Sequence, residues 1–143
     1  MVNFRKMRED DLDKVYQNSD LRPLITVPPK GEKFAVIIIE EDLIIGGVSG
    51  YVDNNFAFIQ CLIITNSDQC EAYKDGLIRS LIHILELDGV TYLFTQENAK
   101  LYYNIGFQNF IRDNWKDGEL GTIIQDDILS NNVLWINLKE FFI

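Results

Sequence analysis

The spacing of hydrophobic residues changes several times along the chain, and each change predicts a new element. Val2–Met7 alternates weakly between apolar and polar positions, as in a first strand. Acidic residues from Glu9 then precede Leu12, Val15 and Tyr16, which recur at helical spacing. Acidic side chains favour the first turn of a helix, so a short helix is predicted here.

The segment Leu21–Lys33 contains the 3 prolines of the chain, Pro23, Pro28 and Pro29. Proline lacks the backbone donor that helices and inner strands need. We therefore predict a loop with at most one helical turn.

Three β-rich runs follow, separated by short polar turns, which is the pattern of antiparallel hairpins. These predicted strands are Phe34–Glu40, Leu43–Val52 and Phe56–Thr65. Gly46, Gly47 and Gly50 interrupt the middle strand, which indicates a bulge or a close approach by another backbone.

The second half of the chain predicts helices alternating with strands. Glu71–Asp88 is the strongest helix, apolar around much of its circumference and followed by Gly89 as a stop signal. Asp113–Asn132 is polar and irregular. The remaining predicted elements are a strand at Val90–Thr95, a short helix ending at Ile105, and strands at Phe107–Ile111 and Val133–Leu138.

The resulting order is β-α-loop-β-β-β-α-β-α-β-β, which predicts a mixed α/β (α+β) fold with helices packed on a central sheet. A chain of 143 residues with 47% hydrophobic residues is expected to form a single domain over residues 1–143. We find no repeat and no interdomain linker in it.

Composition restricts the classes of function. A net charge of −9 argues against nucleic-acid binding and suits a cationic amine substrate. Cys61, Cys70 and His83 lie at no metal-ligand spacing, so no metal site is expected. The chain lacks an apolar run that could span a membrane and an N-terminal signal segment, so we expect a cytoplasmic protein without membrane partners.

The run from Asn98 to Phe107 carries the clearest motif. Leu101, Tyr102 and Ile105 recur at one-turn spacing, and Gly106 can end the helix in a left-handed conformation. This run resembles the C-terminal signature of the GCN5-related N-acetyltransferase (GNAT) superfamily, Asn-x-x-[apolar]-Tyr-x-x-x-Gly-Phe.

The resemblance implies a GNAT-like mixed sheet flanked by helices on both faces, and acetyl-CoA as co-substrate. By the same resemblance Tyr102 would be the general acid for the departing thiolate, with a half-buried packing role as its alternative. Asn98 would bond the pantetheine arm, or serve as an N-cap or turn residue. The fourth strand would contribute cofactor contacts at Ile63 and Ile64, with a backbone N–H polarising the thioester carbonyl.

GNAT enzymes hold the pyrophosphate at the N-terminus of the long central helix, usually with [Arg/Gln]-x-x-Gly-x-[Gly/Ala]. The corresponding cofactor-binding residues here would be Lys74, Asp75, Gly76, Leu77 and Ile78. Two positions depart from the pattern. Tyr73 stands where the family has Arg or Gln, and Ile78 stands where the family has the second small residue. That isoleucine would face either the loop or the core. Glu71 and Asp75 add negative charge near the position where the phosphates would bind.

The expected function is acetyl transfer from acetyl-CoA to a small amine or a peptide amino group, without a covalent enzyme intermediate. Gln60 occupies the strand position where family members often carry a glutamate, so the general base stays unassigned. One alternative is a GNAT-like domain without transfer activity that serves as a binding or regulatory module. Another is protein contact through Asp113–Asn132 with Trp115 as an anchor. A homodimer is also left open.

Overall fold

The computed structural model describes residues 2–65, 69–111 and 133–141 and forms a seven-stranded sheet in the order β1-β2-β3-β4-β5-β7-β6. The strands are β1 Val2–Lys6, β2 Glu32–Glu40, β3 Leu43–Asp53, β4 Phe56–Ile64, β5 Tyr92–Thr95, β6 Gln108–Asn109 and β7 Leu134–Asn137. The helices are α1 Leu12–Gln17, α2 Pro23–Thr26, α3 Cys70–Leu87, α4 Lys100–Ile105 and α5 Leu138–Phe141, with a 3₁₀ turn at Glu9–Asp11.

Strands β2, β3 and β4 form an antiparallel meander, as the sequence predicts, and β1 pairs antiparallel with β2. The β2–β3 turn places Glu41 and Asp42 at positive φ (50° and 66°), and Asn54 in the β3–β4 turn has φ 58°. Two-residue hairpin turns require this backbone conformation, which aspartate and asparagine tolerate better than most residues. The two polar turns therefore set how β2 pairs with β3 and how β3 pairs with β4.

Alternate residues of β4 face two different helical layers. Leu62 and Ile64 pack against the main core, which includes α3, whereas Cys61 and Ile63 pack with the residues of α1 and α2. Since successive side chains of a strand point to opposite faces, α3 lies on one face of the sheet and α1–α2 on the other. The predicted helix-flanked sheet is confirmed.

The predicted element order is also confirmed, with shifts at several ends. Strand β2 begins at Glu32 rather than Phe34, and the Pro-rich segment contains one short helix, α2. The strand predicted at Phe107–Ile111 is limited to Gln108–Asn109, because Phe107 turns into the core against Tyr102. Helix α5 was not expected, since the last strand was predicted to run through Leu138.

The polar segment Asp113–Asn132, with Trp115, lies outside the described residues. In the part of the chain that the structure describes, no helix is long and apolar enough to cross a membrane.

Candidate functional site

A cleft opens where β4 and β5 separate. The two strands are parallel and pair over four positions, from Phe56 with Tyr92 to Ile59 with Thr95. Beyond Ile59, β4 continues to Ile64 while β5 has ended. Among the described strands, this last part of β4 pairs with β3 alone, so its other backbone edge faces the cleft.

A β-bulge in β4 marks the point of separation. Ser49 of β3 pairs with Cys61 and Gly50 pairs with Ile59, which leaves Gln60 as the extra residue. Bulges bend a strand and increase its twist, so this one turns β4 away from β5. A Cβ at Gly50 would lie 1.9 Å from the Phe58 carbonyl oxygen, so only glycine allows the strands to approach this closely.

The cleft has a volume of about 280 Å³ and is bounded by the two diverging chain segments. Its lining residues are Ile59, Gln60, Cys61, Leu62, Thr95, Gln96 and Glu97. The Gln60 side chain donates from Nε2 to the Pro28 carbonyl (3.2 Å), which ties the cleft wall to the segment before β2.

Tyr102 lies directly behind the cleft wall. Its side chain is fully buried, and its ring packs edge-on against Phe107 with centroids 5.1 Å apart. Its hydroxyl group donates to Glu97 Oε2 at 3.4 Å and also bonds the Thr95 hydroxyl. Tyr102 therefore reaches the cleft through two residues that line it.

Burial raises the pKa of Tyr102 far above its ordinary value, and the nearby Glu97 carboxylate raises this pKa further. Both effects disfavour the phenolate. Tyr102 is therefore a neutral hydrogen-bond donor at physiological pH.

Cys61, which also lines the cleft, is half-buried and not fully enclosed in the core. Burial raises the pKa of its thiol, although Lys33 and the Ser49 hydroxyl oppose that shift.

Helix α3 begins earlier than the resemblance implies for a pyrophosphate loop. Cys70 is its first residue, and the Tyr73 N–H already donates to the Gln69 carbonyl (2.9 Å). Lys74–Ile78 therefore lies in the second and third turns, where backbone N–H groups are used by the helix. The structure places these five residues in a helix, not in a loop.

The side chains within that stretch also have structural partners. Leu77 and Ile78 are fully buried in the core, so the isoleucine faces the core. A Cβ at Gly76 would lie 2.7 Å from Phe4 Cζ, because the Phe4 ring covers this glycine. Asp75 forms an ion pair with Arg79 at 2.7 Å.

The first turn of α3 is tied to the end of β2 by a short hydrogen bond in which the Tyr73 hydroxyl donates to Glu40. This bond is the main cause that raises the pKa of Tyr73 above its ordinary value. With Glu71 exposed in the same turn, the charged groups placed there among the described residues are carboxylates.

The other proposed cofactor residues lie apart from one another. Ile63 and Ile64 belong to the end of β4 that pairs with β3 alone among the described strands, and their side chains lie on opposite faces of the sheet. Asn98 is exposed, and Ala99 rather than Asn98 occupies the N-cap of α4. Across the described residues, no group of three metal-ligating side chains could hold a metal ion.

Sequence reasoning missed Glu97, the one carboxylate that lines the cleft within the described residues. The sequence carried a weak signal for it, because Glu97 directly follows a buried strand and precedes the motif that contains Tyr102. Residues in the loops that follow strands often carry function, so this position in the sequence is a candidate site.

No family model and no curated protein sequence matches the chain. Solved structures do. The N-acetylglutamate synthase from Neisseria gonorrhoeae, complexed with coenzyme A and N-acetyl-glutamate, is 18% identical with a TM-score of 0.69 over 96% of this chain. The chain spans 35% of that enzyme's length.

Two further matches have more similar lengths. An acetyltransferase of the GNAT family from Staphylococcus aureus Mu50 is 12% identical (TM-score 0.64, 96% of this chain and 99% of that one). A GNAT family acetyltransferase from Brucella melitensis in complex with acetyl-CoA is 16% identical (TM-score 0.59, 76% and 83%). The chain therefore has the fold of the GCN5-related N-acetyltransferases.

Proposed function

We propose that this chain is a divergent member of the GNAT superfamily that transfers the acetyl group of acetyl-CoA to a small amine or a peptide amino group. The observation that carries the proposal is the separation of β4 from β5, which opens a cleft with the Tyr102 hydroxyl directly behind its wall. Two of the structural neighbours named above are complexed with coenzyme A or acetyl-CoA, which supports the same class of donor.

The free edge of β4 supplies the binding surface. In this proposal the pantetheine arm of the donor lies along Gln60–Ile64, where backbone groups that face away from β3 have no strand partner among the described residues. Ile63 and Ile64 would contribute main-chain contacts rather than a shared apolar pocket. The donor supplies its acetyl group as a thioester, and a backbone N–H aimed at the carbonyl oxygen would stabilise the negative charge that develops there.

Tyr102 is the candidate proton donor for the leaving thiolate. In the transfer a C–N bond forms to the amine, the C–S bond breaks, and the sulfur takes a proton. Because burial keeps Tyr102 protonated, its hydroxyl is available as a donor. A modest movement of Glu97 would let that hydroxyl face the cleft directly.

Glu97 is the candidate for receiving the proton that the amine loses. It is the carboxylate that lines the cleft among the described residues, whereas the Gln60 side chain on β4 is an amide and cannot act as a base near neutral pH. A carboxylate here also attracts a cationic amine, and the overall charge of −9 acts in the same direction.

The experiment follows thiol release from acetyl-CoA with a panel of polyamines, amino acids and peptides with free N-termini. Tyr102→Phe should lower kcat by roughly 100-fold, a typical contribution of general acid–base catalysis, with little change in the Kd of acetyl-CoA. Tyr103→Phe is the matched control, since Tyr103 is on the same helix but is exposed and bonded to Asn109. Its kcat should stay within twofold of wild type.

A second candidate function is a binding or regulatory module without transfer activity. The carboxylates at the first turn of α3 favour it, because they disfavour the tight donor binding of an efficient enzyme. Donor binding without thiol release for any amine would support the module. A folded protein that binds neither acetyl-CoA nor coenzyme A at millimolar concentration would refute the transferase function and favour the module.

A further inference from the structure

Because α3 begins at Cys70, the residues at the family's pyrophosphate position lie inside a helix. Gly76, which aligns with the first glycine of the family motif, lies six residues after Cys70. At 1.5 Å per residue, the helix therefore extends about 9 Å beyond that glycine. The backbone N–H groups of Lys74–Ile78 bond within the helix and are not available to phosphate oxygens.

The space beside the glycine is also filled. A small residue in the family motif lets the backbone approach a phosphate oxygen, but here the Phe4 ring of β1 already covers Gly76. The absence of a side chain at this position is explained by packing of α3 against β1. It is therefore no sign of a phosphate site.

Charge at the new first turn opposes a nucleotide. Glu71 is exposed there, and Glu40 is held against the same turn by Tyr73. The cations of this part of α3 are Lys74 in the next turn and, further along the helix, Arg79, which is already paired with Asp75. A diphosphate and a ribose phosphate placed at this turn would meet like charge, which offsets the favourable helix dipole.

The cleft between β4 and β5, in contrast, is intact. Its volume is about 280 Å³, and the free backbone edge of β4 lies along it as a surface for an acyl-thioester arm. The end of the family's cofactor site that would hold the nucleotide therefore departs from the family pattern, whereas the end that would hold the acyl arm is present in this chain.

We propose that this site recognises its donor through the acyl-pantetheine arm alone, so that its substrate class is pantetheine thioesters whether or not they carry a nucleotide. The inference rests on the proposed function of the β4–β5 cleft. It predicts that the nucleotide of acetyl-CoA adds little affinity.

The test compares acetyl-CoA with S-acetylpantetheine, both in thiol release and in binding by titration calorimetry. We expect the two donors to agree within about tenfold, which corresponds to about 1.4 kcal/mol of binding free energy. A preference for acetyl-CoA of more than tenfold overturns the inference and leaves the proposed function standing. Absence of binding by both donors instead overturns the proposed function itself.

A charge variant tests the cause. Glu71→Gln removes a carboxylate from the first turn of α3 and should tighten acetyl-CoA binding by roughly threefold, as expected for a solvent-screened charge, with S-acetylpantetheine unchanged. Glu86→Gln makes the same change near the other end of α3 and should alter neither affinity. Equal effects of Glu71→Gln on both donors, or none on either, would contradict the electrostatic argument.

Discussion

Ile78→Ala separates a core role from a cofactor role at the position where the family motif has glycine or alanine. Ile78 is completely buried and packs in the main core with Leu77, Leu81 and Ile82. Removing its outer carbons should create a cavity that the surrounding helix and strands fill only in part. Ile→Ala changes at such sites cost about 2–5 kcal/mol, and we expect about 3 kcal/mol here.

The assay is urea unfolding followed by circular dichroism, combined with calorimetric titration of coenzyme A. Leu87→Ala is the matched control, because Leu87 ends the same helix with 71% of its surface exposed. It should change the free energy of unfolding by less than about 0.5 kcal/mol. Because the Ile78 side chain faces the core, Ile78→Ala should not tighten coenzyme A binding.

Two results would refute this reasoning. A loss of less than about 1 kcal/mol at Ile78 would mean that the side chain does not fill the core as the structure places it. A clear gain in coenzyme A affinity would mean that Ile78 obstructs the donor. In that case the helix must begin later in solution than Cys70, and the recognition of the donor by its arm alone would lose its basis.

The other predictions concern stability. Gly50→Ala brings a Cβ to 1.9 Å from the Phe58 carbonyl oxygen, so it should lower the free energy of unfolding by about 3 kcal/mol. Gly89→Ala meets open space and should lower it by only about 1 kcal/mol, because alanine is strained at positive φ. Urea unfolding of the two variants measures the difference. The Arg5 guanidinium, bonded to both oxygens of Asp11 at 2.7 and 2.9 Å, holds the pKa of that carboxyl below its ordinary value. This stabilisation is present above pH ~4 and is lost as the pH falls through the lower folded-state pKa, so Asp11→Asn should cost about 1.5 kcal/mol at pH 7 and much less at pH 2; an equal cost at both pH values would contradict it.

The fold could be predicted from the sequence because local signals agree with the tertiary structure. The apolar face of α3, predicted over Glu71–Asp88, is the face buried against the sheet, and the observed bounds differ by one residue at each end. In the polar turns between β2, β3 and β4, Asp42 and Asn54 have positive φ, which aspartate and asparagine tolerate better than most residues. Ends set by long-range packing were less predictable, since Phe107, predicted to begin a strand, instead packs in the core just before β6.

The candidate site was predicted less completely, since its parts meet only in three dimensions. The motif identified Tyr102, but nothing in the sequence shows that its hydroxyl faces Glu97 and Thr95. The position of the cleft depends on where β4–β5 pairing ends. That depends in turn on the bulge at Gln60, which is indicated in the sequence only by Gly50 on the opposite strand.

The start of α3 shows why a motif alone could not locate the anion-binding turn. Unpaired N–H groups belong to whichever residues begin a helix, so the capacity to bind phosphate moves with the helix start and not with a glycine. The first residues of α3 include Glu71, Ala72 and Lys74, which are all good helix formers. Nothing in their backbone preferences therefore delays the start of the helix beyond Cys70. Once the helix extends through the motif, Gly76 has a different use as a contact for Phe4. The same residues that resemble a phosphate loop in sequence therefore become a packing surface, while the role proposed for Tyr102 depends on a different part of the sheet, where β4 and β5 separate.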